Sequence, residues 1–181
     1  MAPVQSTFNM AFIVDVQGFQ FRKSPFYVKE ICILNIANGE ITHKQVSLPF
    51  APENVTPDFL SHLINCMRRV HGLDYDAFYP EEDIHYSAFS DFLKDILFRQ
   101  DSIAYVIDNK DQILKELLSS VRSDFKCRVV GLRQCPQIDN LKCKFTPEGT
   151  TSFHCNLHFK NGLRCARENA LLVHKWFQSR L

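Results

Sequence analysis

Hydrophobic and polar positions divide the chain into a strand-rich opening and a helix-rich remainder. Phe12-Ile13-Val14-Asp15-Val16 is short, apolar and rich in β-branched residues, and Gly18 closes it. A run of this length ending at a glycine predicts a strand. Residues 26–34 (Phe-Tyr-Val-Lys-Glu-Ile-Cys-Ile-Leu) form a second run. Asn38-Gly39 follows and predicts a type I′ hairpin, whose two central residues both need positive φ. Residues 41–48 return as a third strand, and Pro49 ends it.

Beyond residue 56 the apolar spacing becomes helical. Phe59, Leu60, Leu63, Ile64 and Met67 share one face over 57–70, with Thr56 placed as a cap ahead of Pro57. Residues 72–85 read as a loop with Pro80 and an acidic run. Phe89, Leu93, Ile96 and Leu97 predict a helix over 86–98, and 103–107 a short buried strand. Asp108 reads as the cap of a helix over 109–121, with Asp111 in its first turn and Ile113, Leu114, Leu117, Leu118 and Val121 as its stripe. Residues 127–132 form a fifth strand. Residues 133–160 are irregular apart from a helical turn near Ile138, and 163–177 form the last helix. An irregular stretch that long implies that something pins it.

The predicted order is β-β-β-α-α-β-α-β-α. Three antiparallel strands followed by strands alternating with helices is the ribonuclease-H-like order. It gives an α/β domain with a mixed five-stranded sheet and helices on both faces. At 181 residues, 45% hydrophobic and 23% charged, the chain suits one such domain over 1–181 and excludes a disordered tail. With 16 Phe and 6 Gly the core should be aromatic, and nucleotide-cradling glycine loops are absent from the sequence, so no nucleotide cofactor is expected.

No basic start followed by an apolar run opens the chain, and no stretch is long enough for a membrane span. The expectation is a cytosolic or nuclear setting in which the 7 cysteines stay reduced and serve as core filler, metal ligands or reactive groups. Charge is unevenly placed. Residues 1–121 carry 10 basic and 16 acidic side chains, and residues 122–181 carry 11 and 4. That asymmetry points to an electropositive face that could meet a polyanion.

The sharpest chemical signal is Cys155-Asn156-Leu157-His158 followed by Cys165. Zinc takes thiolate and imidazole in a tetrahedral shell, and a two-residue gap lets neighbouring ligands converge on one ion. A fourth ligand must come from elsewhere. The competing reading makes Cys165 a small buried apolar residue and His158 a surface loop residue.

These residues resemble the Cys-His-Cys part of the Glu-Cys-His-Cys motif of Maelstrom domains, in which the Glu lies on an early strand in a setting like Val28-Lys29-Glu30-Ile31-Cys32-Ile33. The resemblance implies zinc held by Glu30, Cys155, His158 and Cys165. The gap from His158 to Cys165 is one residue shorter than in that family, and His154 and Cys135 stand as alternative ligands. The opening Asp15-Val16-Gln17-Gly18-Phe19 is also similar to retroelement-like invertebrate proteins. The resemblance further implies single-stranded RNA as a partner and a role in small-RNA (piRNA) or transposon silencing.

Maelstrom domains are similar in fold to DEDD-type 3′–5′ exonucleases, which implies a comparison of catalytic positions. Two-metal phosphodiester hydrolysis needs several converging carboxylates, beginning with Asp-x-Glu on the first strand. Here that strand carries Asp15 and Gln17, and an amide does not replace a bridging carboxylate. Asp108 and Asp111 stand after the fourth strand, and the last helix offers Cys165 and Ala170 where a His base and an Asp would be. The expectation is a domain without catalytic residues. An unconventional ribonuclease and a protein–protein interaction module are the rivals. For nucleic acid the candidate contacts are Lys142, Lys144, Lys160, Arg164 and Arg167, interleaved with Phe145, Phe153, Phe159 and Trp176. Trp176 and Phe177 continue the apolar face of the last helix and are expected in the core.

Overall fold

The computed structural model of the chain describes residues 10–73, 83–98, 101–122, 126–146 and 165–180. Its strands are β1 (Ala11–Phe19), β2 (Tyr27–Asn35), β3 (Ile41–Gln45), β4 (Ile103–Val106) and β5 (Arg128–Gly131). Its α-helices are α1 (Pro57–Asn65), α2 (Phe89–Leu97), α3 (Asp111–Val121), α4 (Ile138–Phe145) and α5 (Ala166–Gln178). One five-stranded sheet runs in the order β3-β2-β1-β4-β5. Neighbours β1, β2 and β3 pair antiparallel, while β4 pairs parallel with both β1 and β5. This is the mixed sheet expected from the element order.

The sheet separates two cores. Phe12, Val14, Val16, Ile31 and Ile33 face α2 and α3, where Leu93, Leu97, Leu114 and Leu118 cover them. Ile13, Cys32 and Leu34 face α4 and α5, against Leu141, Ala166, Ala170, Val173 and Trp176. Successive strand residues alternate between faces, so period two alone sorts these two sets. Trp176 is buried, as its helical spacing predicted.

A β-bulge breaks the alternation. Gln17 pairs with Glu30, but Gly18 pairs with Val28, so Lys29 is the extra residue. Val28 therefore joins the α2–α3 core together with Ile31. Gly18 is required at this point, because a Cβ there would lie 2.0 Å from the Tyr27 carbonyl oxygen. Phe19 and Tyr27 continue past the bulge into a third cluster with Leu63, Met67 and Phe59.

Several local expectations change. The Asn38-Gly39 turn is not type I′: Gly39 has φ 72°, Asn38 does not share the positive sign, and Asn35 N–H donates to Glu40 O across a wider loop. The predicted 57–70 helix is α-helical only to Asn65 and continues as a π-turn, Cys66–His71, ending at Gly72 with φ 65°. Thr56 caps it as expected, accepting from Phe59 N–H. Residues 86–88 are a 3₁₀ turn ahead of α2. Asp108 is not a cap. Asp108 and Asn109 both have positive φ (54° and 57°), Lys110 N–H donates to Ile107 O, and α3 starts only at Asp111. The turn near Ile138 is a helix of 8 residues, and the last helix begins at Ala166, so the predicted start at Leu163 lies outside the described residues.

Candidate functional site

The sheet face under α5 carries an unusual load of polar side chains. Register explains why. Asp15 pairs with Cys32, Gln17 with Glu30, Cys32 with His43, and Glu30 with Gln45. These residues share one face, and α5 lies across it through Ala166 and Ala170, both fully buried. Small residues there let the helix approach closely enough for short polar side chains to span the gap.

The first cluster surrounds Asp15, which is 1% exposed. Its Oδ2 accepts from Gln17 Nε2 at 2.7 Å and Asn169 Nδ2 at 2.8 Å. Its Oδ1 accepts from Lys110 Nζ at 2.6 Å, and the same ammonium donates to Val16 O at 2.9 Å. The β1–β4 register runs only to Ile13 opposite Tyr105, so β1 continues past the end of β4. Asp15 thus lies level with the turn after β4, and the double positive-φ turn at Asp108-Asn109 brings Lys110 back over it. A buried ionised carboxylate needs this pairing, since its charge is otherwise costly.

Asp108 and Asp111 do not join that bonding set. They line a cleft of about 170 Å³ at the carboxyl ends of β4 and β5, with Gly131, Arg133, Cys135 and Gln137. Burial, then the negative charge of Asp108, push the Cys135 thiol up to about 11, with Arg180 opposing. It stays protonated at neutral pH and is a poor nucleophile or ligand there.

The second cluster is centred on Glu30, which is fully buried. Glu30 Oε1 lies 2.7 Å from His43 Nε2 and 3.6 Å from Cys165 Sγ. Its Oε2 accepts from Ala166 N–H at 3.2 Å, at the first turn of α5. The donor atoms of Glu30, His43 and Cys165 all lie within 4.8 Å of one another. Carboxylate, imidazole and thiolate together are a donor set that zinc accepts. The sequence-predicted partners Glu30 and Cys165, 135 positions apart, are therefore neighbours. Cys155, His158 and the alternative ligand His154 lie outside the described residues. Cys135 is not in this cluster.

Sequence reasoning missed Lys110, Asn169 and His43. Lys110 had no motif to mark it. His43 pairs with Cys32, two residues from Glu30 on the same face, whereas the two-residue Asn38-Gly39 hairpin expected from the sequence would have set it opposite Leu34. Among the predicted nucleic-acid contacts, Lys142 Nζ is 3.1 Å from Glu168 Oε2, whose side chain is buried. Lys144 is exposed and lies over the Phe145 ring, and Arg167 is half-buried on α5. Lys160 and Arg164 lie outside the described residues.

The element order and sheet topology define a ribonuclease-H-like fold. Comparison of the structure with solved proteins gives the same architecture. Escherichia coli exonuclease I in complex with a 5cy-dA13 oligonucleotide is similar with a TM-score of 0.57 and 10% identity, over 93% of this chain and 39% of that one. The zinc-ion-bound form of the E. coli exonuclease I–single-stranded DNA complex gives 0.56 and 10%, over 94% and 40%. A product-bound exonuclease I gives 0.53 and 12%, over 95% and 44%. The chain spans about two fifths of the length of these enzymes. No family model matches the chain, and no curated protein matches it by sequence. No helix among the described residues is long and apolar enough to cross a membrane.

Proposed function

We propose that this domain is a catalytically degenerate exonuclease-like fold, stabilised by zinc, that binds single-stranded nucleic acid without cutting it. The observation that carries this reading is the Lys110 ammonium on Asp15. Two-metal hydrolysis requires carboxylates that share cations, and those cations activate water and hold the phosphate. Around Asp15 the neighbours are an amide from Gln17, an amide from Asn169 and a lysine, all of them donors. Three donors occupy most of the carboxylate's acceptor sites, and the ammonium stands where a dication would otherwise share Oδ1. An ammonium neutralises one charge and carries no activated water.

Zinc in this reading acts as a cross-link. Glu30 and Cys165 meet in the second cluster, which supports the Maelstrom-type ligand set with Cys155 and His158 supplied by the segment before α5. When bound, the ion would supply folding energy by tying that segment and α5 to the early sheet. Single-stranded RNA is the partner that the resemblance favours, with a scaffold role in small-RNA or transposon silencing in the cytosol or nucleus. The basic side chains of α4, α5 and the segment between them would neutralise its phosphates.

The test uses the full chain with end-labelled single-stranded RNA and DNA, with magnesium or manganese and with chelator. The expected result is a complex that weakens steeply with salt and a label that keeps its length. Chelator-sensitive shortening would instead establish an active nuclease. An affinity for neither strand, or one indifferent to salt, would favour a protein-interaction module.

A further inference from the structure

We propose that His43 is itself a ligand of the buried metal centre, contributed by the edge strand β3, together with Glu30 and Cys165. The inference rests on the zinc reading above and gives His43 the imidazole place that the Glu-Cys-His-Cys set gives to His158, so the shell keeps four ligands. Its starting point is register: Cys32 pairs with His43 and Glu30 with Gln45, so His43 and Glu30 are diagonal neighbours on the α5 side of the sheet. Glu30 Oε1 points at both His43 Nε2 (2.7 Å) and Cys165 Sγ (3.6 Å).

Zinc bonds of about 2.0–2.3 Å place tetrahedral donor atoms roughly 3.3–3.8 Å apart. Three donors already within 4.8 Å of one another reach that spacing with small side-chain rotations. Charge points the same way. A buried carboxylate facing a cysteine is a site where a dication offsets the charge of both anionic donors, with His43 as the neutral imidazole.

A second, independent observation comes from Gln45. It lies directly opposite Glu30 in the β2–β3 ladder, is 1% exposed, and its Oε1 has no hydrogen-bond partner among the described residues. Such a buried acceptor costs stability unless a donor reaches it. A water outside the closed four-ligand shell is a donor of the right kind, as is common around metal sites. His43 as a ligand makes one cation join β2, β3 and α5. The edge strand β3, only five residues long, then gains an anchor beyond its backbone ladder.

The experiment is a cobalt(II) and zinc titration of the metal-stripped full chain, read by the cobalt d–d and thiolate charge-transfer bands and by competition with a chromophoric chelator. Wild type should bind one ion. His43→Ala and His43→Gln should each weaken binding by more than about 100-fold, beyond the range of an outer hydrogen-bonding partner. Gln can still donate to Glu30 but is a poor ligand, so it separates coordination from hydrogen bonding. His43→Cys should restore binding with added charge-transfer intensity.

X-ray absorption at the zinc edge gives a readout that does not depend on a His43 variant folding. Protein carrying His158→Ala should keep imidazole scattering, which His43 supplies. Loss of all imidazole scattering in that variant, or affinity within about threefold of wild type in His43→Gln, would overturn the proposal while leaving the zinc reading intact. A wild-type chain that takes up no metal would sink both together.

Discussion

Lys110 Nζ sits 2.6 Å from Asp15 Oδ1, joining residues 95 positions apart in a pocket where the carboxylate is almost wholly buried. The lysine side chain is itself only 13% exposed. A cation is thus built into the polar face of the sheet by the chain itself. It reaches that place because two consecutive positive-φ residues, Asp108 and Asn109, turn the backbone sharply after β4.

Removing the ammonium leaves an uncompensated buried charge. Lys110→Met should lower unfolding stability by about 3–5 kcal/mol, the usual cost of breaking a buried pair from one side. Lys110→Met combined with Asp15→Asn should recover much of the loss, because the stranded charge is gone. Urea denaturation of both variants at neutral pH measures the difference. Equal losses in the single and double variants would show that the pair matters for packing and not for charge.

The bulge at Gly18 makes a steric prediction. An alanine Cβ would overlap the Tyr27 carbonyl oxygen at 2.0 Å, and that oxygen belongs to backbone and cannot swing aside. Gly18→Ala should therefore cost on the order of 3 kcal/mol or more, in the range of other strained or overpacked sites. Thermal unfolding monitored by circular dichroism provides the check.

Zinc content tests the ligand set proposed for the second cluster. Protein purified without added metal should carry about one zinc per chain, since a four-ligand site of this type holds one ion. Cys165→Ser should release it and lower the melting temperature. Elemental analysis and a thermal scan on the same samples settle both points. Full zinc retention by Cys165→Ser would remove this cysteine from the ligand set.

Thiol reactivity should follow exposure and environment. Cys143 is exposed, whereas Cys127 and Cys32 are buried. Burial pushes the Cys127 thiol up, and Cys135 stands at about 11. Brief alkylation near neutral pH should label Cys143 first among these four, with Cys135 and Cys127 lagging. Raising the pH toward 11 should accelerate Cys135 as its thiolate forms. Peptide mapping by mass spectrometry reads the order.

The close approach of α5 to the sheet depends on side-chain size. Ala170 is fully buried in the interface that also holds Ala166, Val173 and Trp176. Ala170→Leu should cost roughly 1–3 kcal/mol by overpacking. It should also weaken metal binding by lifting Cys165 away from Glu30, which a zinc competition assay would register.

Much of this architecture was legible from local pattern. Period-two alternation marks Ile13 and Val14 for opposite faces without any coordinates, and helical spacing marks Leu114 and Leu118 as core. Element order then sufficed to predict a mixed sheet with helices on both sides, because short connections leave few ways to join three antiparallel strands to two parallel ones. Thr56 before Pro57 worked as a cap because capping is set within four residues. Asp108 failed as a cap because its backbone is claimed by a turn that serves a distant carboxylate.

What only the tertiary structure decided is which polar side chains meet. Glu30 and Cys165 could be paired beforehand solely through a family resemblance, and nothing in their own neighbourhoods specifies the 3.6 Å between them. His43 depends on hairpin register, which a longer loop than Asn38-Gly39 suggests has set. Lys110 and Asn169 converge on Asp15 from a turn and from a helix that are remote in the chain. Periodicity reports the solvent preference of each residue, and that is a property of single positions. The meeting of charges across a sheet is a property of pairs, and it exists only once bulges, turns and helix placement have set the distances.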